Sequence, residues 1–214
     1  MRILRAIRFA TVLDFKLSSE VKDAIRKTKY LLKNLSMNRK KDELNKIFAS
    51  IHVRYGVRLL IELGLDEELE LYKLKDINVF DDLMGIWALL DVEDIYPFTK
   101  NEKSMIKDIK EVLKLNNLDP FTLYKYGLYV NIVAGGIKKI DKKQIAYVYD
   151  KLPIKGVNEI AITGKDIIEV LNIEPGEYIK DIINDIEEKI ILGELANEVE
   201  KLRQYVVDNY STLK

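Results

Sequence analysis

The sequence holds no cysteine and a single histidine, His52. Disulfides, thiolate metal sites and cysteine nucleophiles are therefore excluded, and a histidine-based metal cluster cannot be built. His52 lies between Ile51 and Val53 without the neighbouring aspartate of a metal-dependent phosphohydrolase, and it reads as structural. No apolar run approaches the roughly 18 residues of a membrane span. A basic-then-apolar leader is missing as well, because the early arginines are interleaved through the apolar segment. The expected location is the cytoplasm, with no membrane contact. Proline and glycine are scarce, 4 and 10 in 214 residues, and long segments keep helical periodicity. No strand-type alternation is sustained and no repeat of fixed period is visible. The expectation is an all-α fold, an elongated array of packed helices.

Hydrophobic residues make up 48% of the chain and charged residues 33%, the composition of an ordered, soluble protein with a real core. Formal net charge is zero, which argues against a uniformly basic nucleic-acid coat. The distribution is uneven. Residues 1–60 carry 15 Lys and Arg against 5 Asp and Glu, and the remainder carries 20 against 30. A polyanion would meet the N-terminal part, unless one half of a helical protein is simply basic.

Helix signals run along the whole chain. Ser18 and Ser19 can cap a helix containing Val21, Ala24, Ile25 and Tyr30 to Leu32. Asn38 offers a cap for the next, which holds Leu44, Ile47 and Phe48. Gly64 ends a further helix that follows Gly56. An apolar helix is expected from Val79 to Leu90 around Trp87, then a break at Asp94 to Phe98, then a helix over Asn101 to Leu115. Asp119-Pro120 opens the next one, and Gly135-Gly136 is read as its break. Lys142 to Leu152, Gly164 to Leu171, Tyr178 to Leu192 and Leu195 to Tyr210 complete the set. The acidic run after Gly64 and the stretch from Pro153 to Gly164 divide the chain into 1–65, 66–153 and 154–214.

Arg2, Arg5 and Arg8 recur every three residues in MRILRAIRFATVLDF. On a helix they fan over one side, and the apolar residues Ile3, Leu4, Ala6, Ile7, Phe9, Ala10, Val12 and Leu13 take the other. Guanidinium groups are permanently charged planar forks suited to base edges, phosphates or carboxylates. By spacing alone this is equally the solvated face of an amphipathic helix. Arg39 and Glu43 stand i, i+4, within reach of an ion pair, which is also an ordinary surface pair. Lys138, Lys139, Lys142 and Lys143 bracket Asp141, as a phosphate-binding cluster or a solvated loop. Tyr124, Tyr126, Tyr129, Tyr147 and Tyr149 could stack on bases, but their helical spacing suits core and rim positions.

The wording around those residues resembles the bacterial-type tRNA nucleotidyltransferases, the CCA-adding enzymes and their poly(A) polymerase relatives. The family pattern E-D-x-x-R-x-x-R-A-x-R-F-A-x-x-L-x-F is matched from Arg2 through Arg5, Ala6, Arg8, Phe9 and Ala10 to Leu13 and Phe15. Met1 takes one spacer position. A second pattern, S-x-E-R-I-x-x-E-L-x-K, is met by Ser36, Arg39, Glu43, Leu44 and Lys46, with Asn38 and Lys40 departing from it. Ile162 to Ile168, Ile173-Glu174-Pro175-Gly176 and Gly193 to Asn197 look like the family's tail signature. The resemblance implies that Arg2 reads the base of an incoming nucleotide, that Arg5 and Arg8 approach the same nucleotide, and that Arg39 and Glu43 support the neck. It implies tRNA or other structured RNA as partner.

The family's catalytic head, with its Gly-rich turn and D-x-D carboxylates, has no counterpart in these residues. The expectation is a neck, body and tail that is not catalytic by itself. No cofactor is expected in this chain, and Mg²⁺ with ATP or CTP is expected only with a head domain. Two rivals are a stand-alone helical RNA-binding or interaction protein and a half-enzyme completed in trans by a separate head.

Overall fold

The computed structural model describes residues 2–79 and 81–211. The expected spacer role of Met1 and the Phe80 part of the expected 79–90 helix lie outside them. The elements run α1 (Arg2–Val12), α2 (Ser19–Thr28), a 3-10 helix (Lys29–Asn34), α3 (Met37–Phe48), α4 (Val53–Glu62) and α5 (Leu65–Glu68). A second 3-10 helix (Tyr72–Asp76), α6 (Leu83–Leu90) and α7 (Lys100–Lys114) follow. Then come α8 (Pro120–Ile137), α9 (Lys142–Asp150), a 3-10 turn (Val157–Glu159), α10 (Gly164–Leu171), α11 (Tyr178–Ile191) and α12 (Val199–Tyr210). The described residues form no strand, so the fold is all-α.

The chain gathers into two compact units. Residues up to 114 form the first together with 133–139, and 115–132 form the second together with residues from 140 onward. In the first, α1 lies against α3 and α4, and α6 lies against α7. Its centre is aromatic. Trp87 is 1% exposed, and its ring meets Phe48, Tyr96 and Phe98 at centroid distances of 5.2–5.3 Å. The indole N–H donates to Asn45 Oδ1 at 2.8 Å, which settles the one polar atom such a burial brings with it. In the second unit, Ile167 and Leu171 of α10, Ile182, Ile186 and Ile190 of α11, and Leu202 and Val206 of α12 close a separate core.

Local chemistry explains most helix starts. Ser18 accepts from the Val21 N–H, Asp82 from Gly85 and Asp119 from Thr122. Thr163 and Asp166 form a reciprocal capping box at α10. Other boundaries differ from the sequence expectation. α3 begins after an extended Ser36, so Asn38 sits inside the helix and caps nothing. Tyr30 to Leu32 belong to a tightened 3-10 helix instead of α2. Leu195 to Glu198 lie outside α12, and α6 begins at Leu83 behind its Asp82 cap.

The largest difference concerns α8. Gly135-Gly136 do not break it, since the helix continues to Ile137 and ends on Lys138 and a left-handed Lys139. The break is at Gly127, whose φ of 74° suits only glycine well. Asn131 compensates, because its Nδ2 donates to Gly127 O at 2.9 Å and to Thr122 O at 3.3 Å. The Asn117 amide in turn donates to Asn131 O at 3.1 Å. Two buried asparagines thus occupy carbonyls that a regular helix would have used itself.

Candidate functional site

α1 is amphipathic in the expected sense. Leu4, Ile7 and Ala10 are fully buried, and Arg2 and Arg5 are exposed on the opposite side. Its position is set by close packing. A Cβ built on Gly56 of α4 would stand 2.5 Å from Thr11 Oγ1 and 2.7 Å from Ile47 Cγ2, so only glycine lets α4 approach α1 and α3 this closely. The buried Thr11 hydroxyl donates back to Ile7 O at 2.8 Å. Asp14, left-handed at φ 51°, follows α1, and the Phe15 N–H returns to Ala10 O at 3.1 Å. His52 stands 3.8 Å from the Asp14 carboxylate on the same rim.

The three arginines are not equivalent. Arg8 Nη1 donates to Glu43 Oε1 of α3 at 3.2 Å, with side chains 16% and 4% exposed. Arg39, the partner that helical spacing offers Glu43, is exposed and makes no ion pair with it. The expected Arg39–Glu43 pair is therefore replaced by an interhelical one. Packing α1 on α3 brings Arg8 over the buried carboxylate, and burial strengthens that attraction. Lys46 lies 3.9 Å from the same oxygen, and Glu43 Oε2 has no hydrogen-bond partner.

Phe9, expected with the apolar residues, lies instead among the arginines, as Val12 and Leu13 are also exposed, and it organises this face. It is 39% exposed, with the Arg8 guanidinium 4.5 Å and the Arg5 guanidinium 5.6 Å from its ring centroid. Both distances lie in the cation–π range. The only sequence hint is the R-x-x-R-F order itself. The face therefore has two exposed forks, one aromatic plate and one fork clamped to a carboxylate. Such an array donates to acceptors and offers an aromatic surface, while its carboxylate is engaged internally.

The four lysines are exposed, and they fall on either side of the division between the units. Lys138 and Lys139 follow the last turn of α8. Lys142 and Lys143 begin α9, where Asp141 accepts from the Lys143 N–H at 2.9 Å. Cations in a first helical turn add to the positive end of the helix dipole. Of the tyrosines, Tyr124 donates its hydroxyl to Glu187 within the second unit, whereas Tyr129 and Tyr147 are exposed. Burial first, then that carboxylate, pushes the Tyr124 hydroxyl above its ordinary value. Among the described residues no group of three or more Asp, Glu or His is placed to hold a metal ion. None of their helices is long and apolar enough to cross a membrane.

Known proteins resemble this chain in sequence and in fold. Residues 89–206 match the family described as tRNA nucleotidyltransferase domain 2. Residues 14–71 match the one described as "Probable RNA and SrmB-binding site of polymerase A". The CCA-adding enzyme of Lactococcus lactis subsp. cremoris strain MG1363 is 32% identical over 223 residues, covering 92% of this chain and 56% of that one. The CCA-adding enzyme of Bacillus subtilis strain 168 is 31% identical over 236 residues, covering 96% and 59%. The crystal structure of the Bacillus stearothermophilus CCA-adding enzyme in complex with CTP superposes with a TM-score of 0.82 over 99% of this chain and 62% of that one, at 20% identity. That likeness is one of fold. The chain thus spans less than two thirds of the length of these relatives. With a family match across more than half of its residues, on a helical fold whose first helix carries the arginine pattern, the chain belongs to the tRNA nucleotidyltransferase family.

Proposed function

We propose that this chain is the neck, body and tail of a CCA- or A-adding nucleotidyltransferase, acting in the cytoplasm. It holds tRNA and presents the arginine face of α1 to the incoming nucleotide. Read along the chain, the proposed modules are 1–65, 66–153 and 154–214, the second of them divided between the two compact units. The observation that carries this reading is the inequality within α1, where Arg8 is locked to Glu43 while Arg2 and Arg5 stay open on the same helix. A fixed helix with open forks meets acceptors without reordering its backbone, so binding orders only the two arginine side chains.

In this reading Arg2 and Arg5 donate to the nucleotide, Arg8 and Glu43 set the helix, and the exposed lysines meet RNA phosphates. The described residues hold no group of three or more Asp, Glu or His placed for a metal ion, and we assign no metal-dependent step to them. Metal binding and the chemical step belong to a catalytic head, joined in the same polypeptide or supplied as a separate partner, which shares the nucleotide with the α1 face.

Two measurements on the purified chain test the proposal. With tRNA lacking its CCA end, ATP, CTP and Mg²⁺, no extension is expected; extension by even one nucleotide would overturn the division of labour. In filter binding, tRNA should bind with a dissociation constant on the order of 10⁻⁴ to 10⁻⁶ M at physiological salt, weakening as salt rises. A single-stranded oligonucleotide of equal charge should bind less tightly, because duplex shape is read. No tRNA affinity at low salt, or equal affinity for both RNAs, would sink the tRNA-holding role.

A further inference from the structure

The five tyrosines of α8 and α9 differ in their surroundings. Tyr124 donates to Glu187, and Tyr149 is half-buried against the core of Leu123, Ile145 and Leu152. Tyr147 is 65% exposed, and its hydroxyl makes no hydrogen bond among the described residues. The fully buried Ile145 takes the opposite side of α9. Lys143 and Lys151 stand four residues before and after Tyr147, and Lys151, still in right-handed helical conformation, keeps the register. The three therefore share one side of the helix, spread over about 12 Å along its axis. The Lys151 ammonium is 5.7 Å from the Tyr147 ring centroid. Lys142 and Lys143 form no ion pair among the described residues, although they occupy a first turn, where the helix dipole disfavours cations. The nearby acids are engaged, since Asp141 accepts from the Lys143 N–H and Asp150 stands 3.8 Å from Lys155 Nζ.

An isolated exposed ring needs no explanation. A ring between two cations on one side of a helix selects its partner more narrowly. The ring offers a flat apolar face, and the lysines offer point charges to anions on either side of it. Double-helical RNA presents phosphates but keeps its base faces stacked inside. An acidic peptide presents carboxylates and needs no plane. An unpaired nucleotide carries both parts, a planar base and the phosphates that flank it in the strand. We propose that the outer side of α9 receives one unstacked base from a loop of the bound RNA, its plane on Tyr147 and its flanking phosphates at Lys143 and Lys151. The proposal rests on the reading of the chain as RNA-binding, and it gives the second unit an RNA contact of its own.

The test is a fluorescence-anisotropy titration of the full chain with labelled tRNA lacking its CCA end and with a blunt RNA duplex of the same charge, which has no unpaired base. Tyr147→Leu should weaken tRNA binding about tenfold, the loss of one stacked base, and leave duplex binding unchanged. Tyr147→Phe keeps the plane and should bind tRNA as the wild type does. Lys143→Gln and Lys151→Gln should each lower the salt slope of tRNA binding by about one. The unchanged duplex affinity shows that the variants are folded, as expected at an exposed ring. Tyr147→Leu binding tRNA like the wild type, or losing tRNA and duplex equally, would overturn the stacking site. So would a Tyr147→Phe variant as weak as Tyr147→Leu, which would assign the contact to the hydroxyl. Salt slopes unchanged in both lysine variants would overturn the phosphate contacts. If the wild type binds tRNA in those cases, the tRNA-holding role survives; if it binds none, both fail.

Discussion

Arg8 and Arg5 share a helix, a residue type and a sequence pattern, but their surroundings separate them. Removing Arg8 leaves the Glu43 carboxylate, 4% exposed in its side chain, with only Lys46 at 3.9 Å. Arg8→Ala should therefore cost about 3 kcal/mol, the magnitude of breaking a buried pair by deleting one partner. Arg5→Ala, at an exposed position, should stay within about 0.5 kcal/mol. Urea denaturation of both variants measures this, and equal losses would contradict the unequal roles. Helical spacing alone favours Arg39 for Glu43, because i, i+4 neighbours meet on any helix. The tertiary partner comes from 35 positions away, a separation that no local pattern can anticipate.

At the scale of elements, close approach decides more than propensity. Gly56 lies inside α4, where glycine is normally unfavourable, because a Cβ there would overlap Thr11 and Ile47. Gly56→Ala should cost about 1–3 kcal/mol by overpacking, despite the better helix propensity of alanine. Adding Thr11→Ala removes Oγ1 and Cγ2, two of the three nearest atoms, and should recover part of the loss. A stabilised Gly56→Ala variant in a denaturation series would refute the packing argument. Glycine position is also where sequence reading of α8 went astray. Gly135-Gly136 look like a break, but α8 stays helical through them, while the isolated Gly127 turns the chain. The asparagines that make this turn affordable lie four and ten residues from it, outside any turn motif.

For the molecule as a whole, acid is the informative variable. Asp166 is held at about 2, first by the Thr163 hydroxyl, then by the Thr163 backbone N–H and Arg203. Asp91, which joins α6 to α7 by accepting from Lys110 and also from Lys73, is likewise at about 2. Both lie below the ordinary 3.8. A carboxyl depressed by folding contributes stability above its unfolded value and loses it as pH falls through the folded one. Melting temperature should therefore decline between about pH 4 and pH 2. The gap between the wild type and Asp166→Asn should be widest at pH 7 and close toward pH 2. A gap independent of pH would show that Asp166 does not act through its charge.

By itself the sequence determined the all-α class, the two faces of α1, the caps at Ser18 and Asp119, and the exclusion of thiol chemistry and of a histidine metal cluster. All of these follow from composition and from patterns spanning a few residues, over which backbone geometry is the main constraint. Tertiary structure alone decided which cation meets Glu43, why Gly56 must be glycine and where α8 bends. Those outcomes depend on which surfaces are pressed together, and so on distances between residues that are remote in the chain.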